Sequence, residues 1–259
     1  MNMNHVKRAA AGLAALAFYT GVAMSASQDD TITTQNGELE IHAIHHASLM
    51  LTWNGKHVLV DPAPVDAKGA DPTVGYTDLP KPDVIVVTHS HGDHFNIPII
   101  EAVAGASTAI VAPQEVYDAL PADLKAKTKV MKNGDSGVVD AIPVEAVPAY
   151  NTTSERSKFH PKGLGNGYIL TFGGERVYIA GDTEETPELA HLSQIDAAFL
   201  PMNLPYTEKV EAAAQWVKDF KPRTVYPYHF RNADGTMSNL DAFKKDVGGA
   251  SEVRILGWY

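Results

Sequence analysis

The sequence predicts an α/β protein built as a four-layer αββα sandwich, with helix, sheet, sheet and helix stacked in that order. Three observations predict it. Short apolar runs such as Val84-Ile85-Val86-Val87 and Ala197-Ala198-Phe199-Leu200 read as strands buried on both faces. Segments with helical apolar spacing are interspersed among these runs rather than collected in one block. The chain also falls into two halves alike in kind, each a group of strands followed by a helix. Two sheets packed face to face, with helices outside, would bury both.

In chain order, Lys7 and Arg8, the uncharged apolar stretch Ala9 to Ala23 and the small residues of Ala23-Met24-Ser25-Ala26 have the form of a secretory signal peptide. Cleavage after Ser25 or nearby leaves residues 26–259 as one domain. It predicts a periplasmic or secreted protein with no stable membrane insertion. Gln28 to Gly37 is polar and is expected to be a flexible lead-in. Leu39 to His45 alternates as a half-buried strand, and Ser48 to Trp53 is the second. The hairpin signal Asn54-Gly55 returns the chain as a third, Lys56 to Pro62. Ala63 to Pro82 is rich in Pro, Gly and Asp and reads as a surface loop. The Val84–Val87 strand follows, then a short helix from Ile97 to Ala104, a strand from Thr108 to Val111, and a helix from Pro113 to Leu120 with Pro at its start. Lys129 to Met131 is a short strand.

In the second half, Val138-Val139 and Ile142 to Val147 are strands, and Thr152 to Gly167 is a polar loop. Tyr168 to Phe172 and Arg176 to Ala180 form a hairpin about Gly173-Gly174. Ala197 to Pro201 and Thr224 to Pro227 are further buried strands. Thr207 to Phe220 has helical spacing, with Thr207 as N-cap and Glu208 in the first turn. Leu240 to Val247 is the last helix.

Composition narrows the chemistry. The chain has no cysteine, which excludes thiolate metal sites, disulfides and cysteine nucleophiles. A formal net charge of −10 argues against nucleic acid or an anionic membrane surface as partner and leaves a small-molecule substrate. Ser48 and Ser90 lack the flanking residues of a nucleophile elbow.

The chemistry gathers in Thr88-His89-Ser90-His91-Gly92-Asp93-His94-Phe95, where three histidines and an aspartate fall within six positions. The cluster follows a buried strand, at the sheet edge where open α/β folds bind ligands. A single loop histidine is ordinarily a solvated surface residue. Three at this spacing with an aspartate form a donor set suited to zinc, manganese, iron or nickel.

His89-x-His91-x-Asp93-His94, Gly181-Asp182-Thr183 and Tyr228-His229 together resemble the metallo-β-lactamase fold superfamily. With His46-Ala47-Ser48 and Val60-Asp61-Pro62 included, the order is similar to that of ascorbate-6-phosphate lactonase-like hydrolases. The resemblance implies a divalent metal, zinc first and manganese, nickel or iron as alternatives, as one ion or two. It implies His89 and His91 on the first ion, Asp93, His94 and His229 on the second, and Asp182 bridging. Metal-bound hydroxide would then attack an ester- or lactone-type bond, with Asp93 also orienting the water. A phosphodiesterase of the same fold and a metal-binding protein with little turnover are the alternatives.

The chain departs from the family in one place. The third histidine of the first ion is expected after the strand ending at Val147, where Pro148-Ala149-Tyr150-Asn151 stands instead. Asn151 contributes there, or His160 or His46 arrives from elsewhere. Asp61 is expected to orient a ligand histidine rather than touch metal. Tyr150 and Asn151 are expected to contact substrate, and Tyr206, Tyr228 and Lys162 are further candidates for the pocket.

Overall fold

The structure, a computed structural model, describes Met1, residues 26–65 and residues 71–259. The expected signal peptide beyond Met1 lies outside the described residues, as does part of the Ala63–Pro82 loop.

Two seven-stranded sheets form the sandwich. The first runs in sequence order: β1 (Asp29–Thr34), β2 (Gly37–His45), β3 (Ser48–Trp53), β4 (Lys56–Val60), β5 (Val84–Val86), β6 (Ala109–Ala112) and β7 (Thr128–Val130). The second runs in sequence order from its other edge: β8 (Ser136–Val139), β9 (Ile142–Ala149), β10 (Gly165–Phe172), β11 (Glu175–Ile179), β12 (Ala197–Pro201), β13 (Thr224–Tyr228) and β14 (Glu252–Val253). Both sheets obey one plan. β1 to β4 pair antiparallel and β4 to β7 parallel. β8 to β11 pair antiparallel and β11 to β14 parallel.

Helices α1 (Ile97–Val103), α2 (Gln114–Ala119) and α3 (Ala122–Lys125) cover the first sheet, and α4 (Val210–Phe220) and α5 (Leu240–Val247) the second. The two-residue period of a strand explains the layering. Val58 and Val60 of β4, and Val84 and Val86 of β5, join the core between the sheets. Leu59 and Ile85, one step away, turn to Ile99, Ile100, Val116 and Leu124 under the first helical layer. On α4 the buried face is Ala213, Ala214, Trp216, Val217 and Phe220, a helical stripe. Its Trp216 meets Tyr178 of β11 edge-on at 6.1 Å. The four-layer αββα sandwich is therefore observed.

Two local expectations are corrected. Gln28 to Gly37 is not a loose lead-in, because it contains β1, which pairs with β2 along its length. Ile32 and Thr34 face inward on the β-branched run Thr31–Thr34, and Asp30 accepts hydrogen bonds from Tyr226 (2.8 Å) and Arg254 (3.1 Å). Thr207 is not the cap of α4, which starts at Val210 with Lys209 at the cap position. The Thr207 hydroxyl is occupied by Asn203, donating to Oδ1 at 2.5 Å and accepting from the backbone N–H at 3.0 Å. Among the described residues, no helix is long and apolar enough to cross a membrane.

Candidate metal centre

The ends of strands from both sheets deliver the polar residues to one edge of the sandwich. β5 leads into His89, His91, Asp93 and His94, β11 into Asp182, and β13 into His229, while His46 sits in the turn between β2 and β3. The sheets are tied here by the backbone, since His229 N–H donates to the His46 carbonyl at 3.0 Å and Asn166 N–H to the Thr88 carbonyl at 2.9 Å. Gly181 allows the close approach. Its φ is +66°, and a Cβ there would stand 2.9 Å from Thr88 Cβ. His46, Asp61 and His229 also hold positive φ, at 60°, 44° and 44°. That conformation costs a non-glycine residue on the order of 1–3 kcal/mol and gathers at functional sites.

Three groups of side chains bring their donor atoms within 4.8 Å of one another: His89, His91 and His160; His46, Asp93 and His229; and His89, His94 and Asp182. In the first, His89 Nε2 and His91 Nδ1 are 3.1 Å apart. In the second, Asp93 Oδ2 lies 3.2 Å from His46 Nε2 and 3.5 Å from His229 Nε2. Asp182 joins them. Its Oδ2 is 3.3 Å from His160 Nε2 and 3.4 Å from His229 Nε2, and its Oδ1 is 3.3 Å from His94 Nε2.

These residues fit a divalent cation. His94 Nε2, His160 Nε2 and Asp182 Oδ1 are buried with no hydrogen-bond partner, which is costly unless something else occupies them. Burial holds His46 down to about 4 and His89 well below the usual histidine range, so both are neutral donors. Burial opposes the charges on His94 and Asp182. The negative charges of Asp182 and Asp61 outweigh it at His94 and raise the histidine, and the positive charges of His229 and His94 outweigh it at Asp182 and lower the carboxyl. A metal ion would take the place of the histidine proton.

The far sides of the His94 and His160 rings are held as well. His94 Nδ1 is 2.9 Å from Asp61 Oδ2, and Asp61 also accepts from Thr88 N–H (2.7 Å) and Thr88 Oγ1 (2.8 Å). Asn151 Nδ2 is 3.1 Å from His160 Nδ1 and donates to the Tyr206 carbonyl at 2.7 Å.

Residues 40–229 match the model of the beta-lactamase superfamily domain. The chain belongs to this superfamily. It is 30% identical over 223 residues to a UPF0173 metal-dependent hydrolase of Pyrococcus abyssi, covering 84% of this chain and 96% of the relative. A UPF0173 metal-dependent hydrolase of Anaeromyxobacter dehalogenans is 29% identical over 98% of this chain and 97% of its own. A solved structure described as a metal-dependent hydrolase of Parabacteroides distasonis shares 43% identity, with a TM-score of 0.78 over 90% of this chain and all of that one. The metallo hydrolase Igni18 of Ignicoccus hospitalis, 22% identical with a TM-score of 0.67 over 84% of this chain and 94% of its own, shares the fold. The chain is thus a metal-dependent hydrolase with the metallo-β-lactamase fold.

In this hydrolase a cavity of about 420 Å³ opens on the centre, lined by His91, Gly92, Asp93, Phe159, His160, Asp182, Asn203 and Tyr206. A narrower one beside it adds Glu115, Pro161 and Leu164. Tyr206 therefore reaches the pocket, edge-on to Phe159 at 5.1 Å. Tyr150 and Asn151 do not line either cavity. The Tyr150 hydroxyl donates to Glu188 (2.8 Å), and Asn151 is buried behind His160. Lys162 is taken by Glu188 at 2.6 Å, and the Tyr228 hydroxyl accepts from Gly181 N–H at 2.9 Å. Sequence reasoning missed Asn203 and Tyr259. Asn203 follows a buried strand as the other site residues do, and that signal could have found it.

Proposed function

We propose that this chain is an exported hydrolase of uncharged esters or lactones, in keeping with its likeness to the lactonase-like branch. One observation carries the substrate class: among the described residues no Lys or Arg lines the two cavities that open on the centre, whereas Phe159, Tyr206, Pro161 and Leu164 do. Phosphodiesters carry a full negative charge and are commonly gripped by arginine or lysine. Export is supported by the pattern Lys7 to Ser25.

His89, His91 and His160 would hold one ion and His46, Asp93 and His229 a second, with Asp182 and His94 between them. Zinc suits this donor set best. When bound, the metal supplies Lewis acidity at the scissile carbonyl and lowers the pKa of a coordinated water towards neutrality. The chain does the rest. The Asp93 side chain is half exposed to the cavity and is held as an anion: burial works against this, and His229 and His46 overcome it. It accepts a hydrogen bond from the attacking water and fixes its direction. Asn203 lines the cavity and is locked by Thr207 at Oδ1, with its Nδ2 group 3.3 Å from His229 Nε2. That N–H₂ is placed to donate to the carbonyl oxygen as negative charge develops on it. Phe159 and Tyr206 hold the acyl part and exclude water.

The test is zinc-loaded protein, purified from a secreting host, assayed on p-nitrophenyl butyrate, a γ-lactone and bis-p-nitrophenyl phosphate. Chelator-sensitive turnover of the ester and lactone is expected, from a chain that begins near Ala26. Faster cleavage of the phosphodiester would overturn the substrate class. Stoichiometric zinc without turnover of any of the three would make the chain a binding protein.

A further inference from the structure

Tyr259 belongs to no motif, yet it stands against the metal centre. Its hydroxyl is 2.9 Å from His46 Nδ1, while His46 Nε2 is the nitrogen that faces Asp93 at 3.2 Å. The phenol oxygen also lies beside the backbone of Phe230 and Arg231, the two residues after His229. Its ring lies edge-on to His46 (5.8 Å) and Phe230 (5.0 Å), and the Arg231 guanidinium sits over its face at 4.1 Å.

The residues before Tyr259 anchor it. Trp258 is fully buried and meets Phe199 and Tyr228 edge-on. Gly257 N–H donates to the Ser27 carbonyl at 2.8 Å. A Cβ at Gly257 would stand 2.6 Å from the Ala26 carbonyl oxygen, so only glycine lets these two segments lie together. The phenol is therefore a fixed feature of the site.

A histidine that binds metal through Nε2 carries its proton on Nδ1, and the partner of that proton sets the tautomer and the ring angle. At His46 the partner is the Tyr259 oxygen. The same oxygen contacts the turn that carries His229. His46 comes from the first sheet and His229 from the second, so one hydroxyl spans the two.

We propose, resting on the reading of His46 as a ligand, that Tyr259 is a positioning residue for the His46–Asp93–His229 half of the metal centre. It fixes the His46 ring and holds it in register with His229. Removing a hydrogen-bond partner of this kind typically weakens metal affinity about 10- to 100-fold.

The experiment compares wild type, Tyr259→Phe and His46→Ala as apo-proteins, titrated with zinc against a competing chelator and with cobalt(II) followed by its visible absorption. Tyr259→Phe keeps the ring and its contacts and removes only the hydroxyl. We expect it to loosen one ion about ten-fold or more, to leave the other unchanged, and to alter the cobalt bands of the weakened ion alone. That ion is the one lost in His46→Ala, and the apo-protein melts as the wild type does. If His46→Ala loses an ion while Tyr259→Phe binds both as tightly as wild type, Tyr259 has no positioning role and His46 remains a ligand. If neither variant changes either affinity, both readings fall. If Tyr259→Phe weakens both ions equally and lowers the apo melting temperature, its role is structural and the proposal fails.

Discussion

Asn203 carries the most direct chemical expectation at the scale of one residue. Its Oδ1 is spent on Thr207, and its Nδ2 faces a nitrogen of His229 that offers no acceptor once it binds metal. The donor is buried, fixed by Thr207 and part of a residue that lines the cavity, which are the conditions under which a hydrogen bond stabilises developing charge. Asn203→Ala should lower kcat about 100- to 1000-fold and leave the bound zinc unchanged. Steady-state kinetics beside metal analysis decides it, and loss of zinc in step with activity would show instead that Asn203 merely steadies His229. Other residues differ in how far the sequence disclosed them. The donors next to strand ends were legible, because a buried β-branched run announces where a strand stops. His46 and His160 were legible only as alternatives for one position, yet the structure gives each a different group. His160 reaches His89 and His91 because its loop folds back onto Asn151, a long-range contact that local spacing does not encode. Tyr259 had no local signal at all.

Elements were legible wherever apolar periodicity was strong, as for α5, whose observed span Leu240–Val247 is the one the pattern predicts. They were not where polar residues did structural work. β1 hid in Asp-Asp-Thr-Ile-Thr-Thr because its inward face is one isoleucine and one threonine, and its anchor is Asp30. The start of α4 was misplaced because Thr207-Glu208 has the composition of a helix start, yet both side chains are used elsewhere. Glu208 is 5% exposed, one of its oxygens accepts from Glu185 N–H, and the other has no partner. Burial pushes its carboxyl up to about 8, so the fold holds it protonated near neutrality. The sign follows from linkage. Between the ordinary glutamate range near 4.3 and about 8, the folded chain binds a proton that the unfolded chain has released. Stability from this group is full below that window and is lost as pH rises through it. Glu208→Gln removes the titration, so the variant should gain on wild type steadily from pH 5 to pH 8. The gain is bounded by about 1.4 kcal/mol per pKa unit. Urea unfolding of both chelated proteins across that range measures it, and a constant difference would sink the idea.

Across the whole molecule, the repeated plan of four antiparallel strands followed by parallel ones explains both why the layered fold could be read and why the site lies where it does. Alternating apolar runs fix which face of each strand is buried, and two sheets of the same construction then bring their parallel strand ends to one edge. His46, His89, His91, Asp93 and His94 come from the first sheet, and His160, Asp182 and His229 from the second. Metal bound at this edge would therefore act as a cross-link between the sheets. It would also satisfy His94, His160 and Asp182, whose buried atoms otherwise lack partners. An ion that binds only the folded chain stabilises it by about 2.7 kcal/mol at a hundred times its Kd. For a domain of this size each kcal/mol raises Tm by roughly 2–4 °C, so zinc should raise it by roughly 5–10 °C over the chelated protein. Calorimetry of the same preparation with zinc and with EDTA reads the shift. Asp182→Ala removes the residue common to both halves and should abolish most of it. Equal melting temperatures with zinc demonstrably bound would mean that the ions do not grip both sheets, and the cross-link would have to be abandoned.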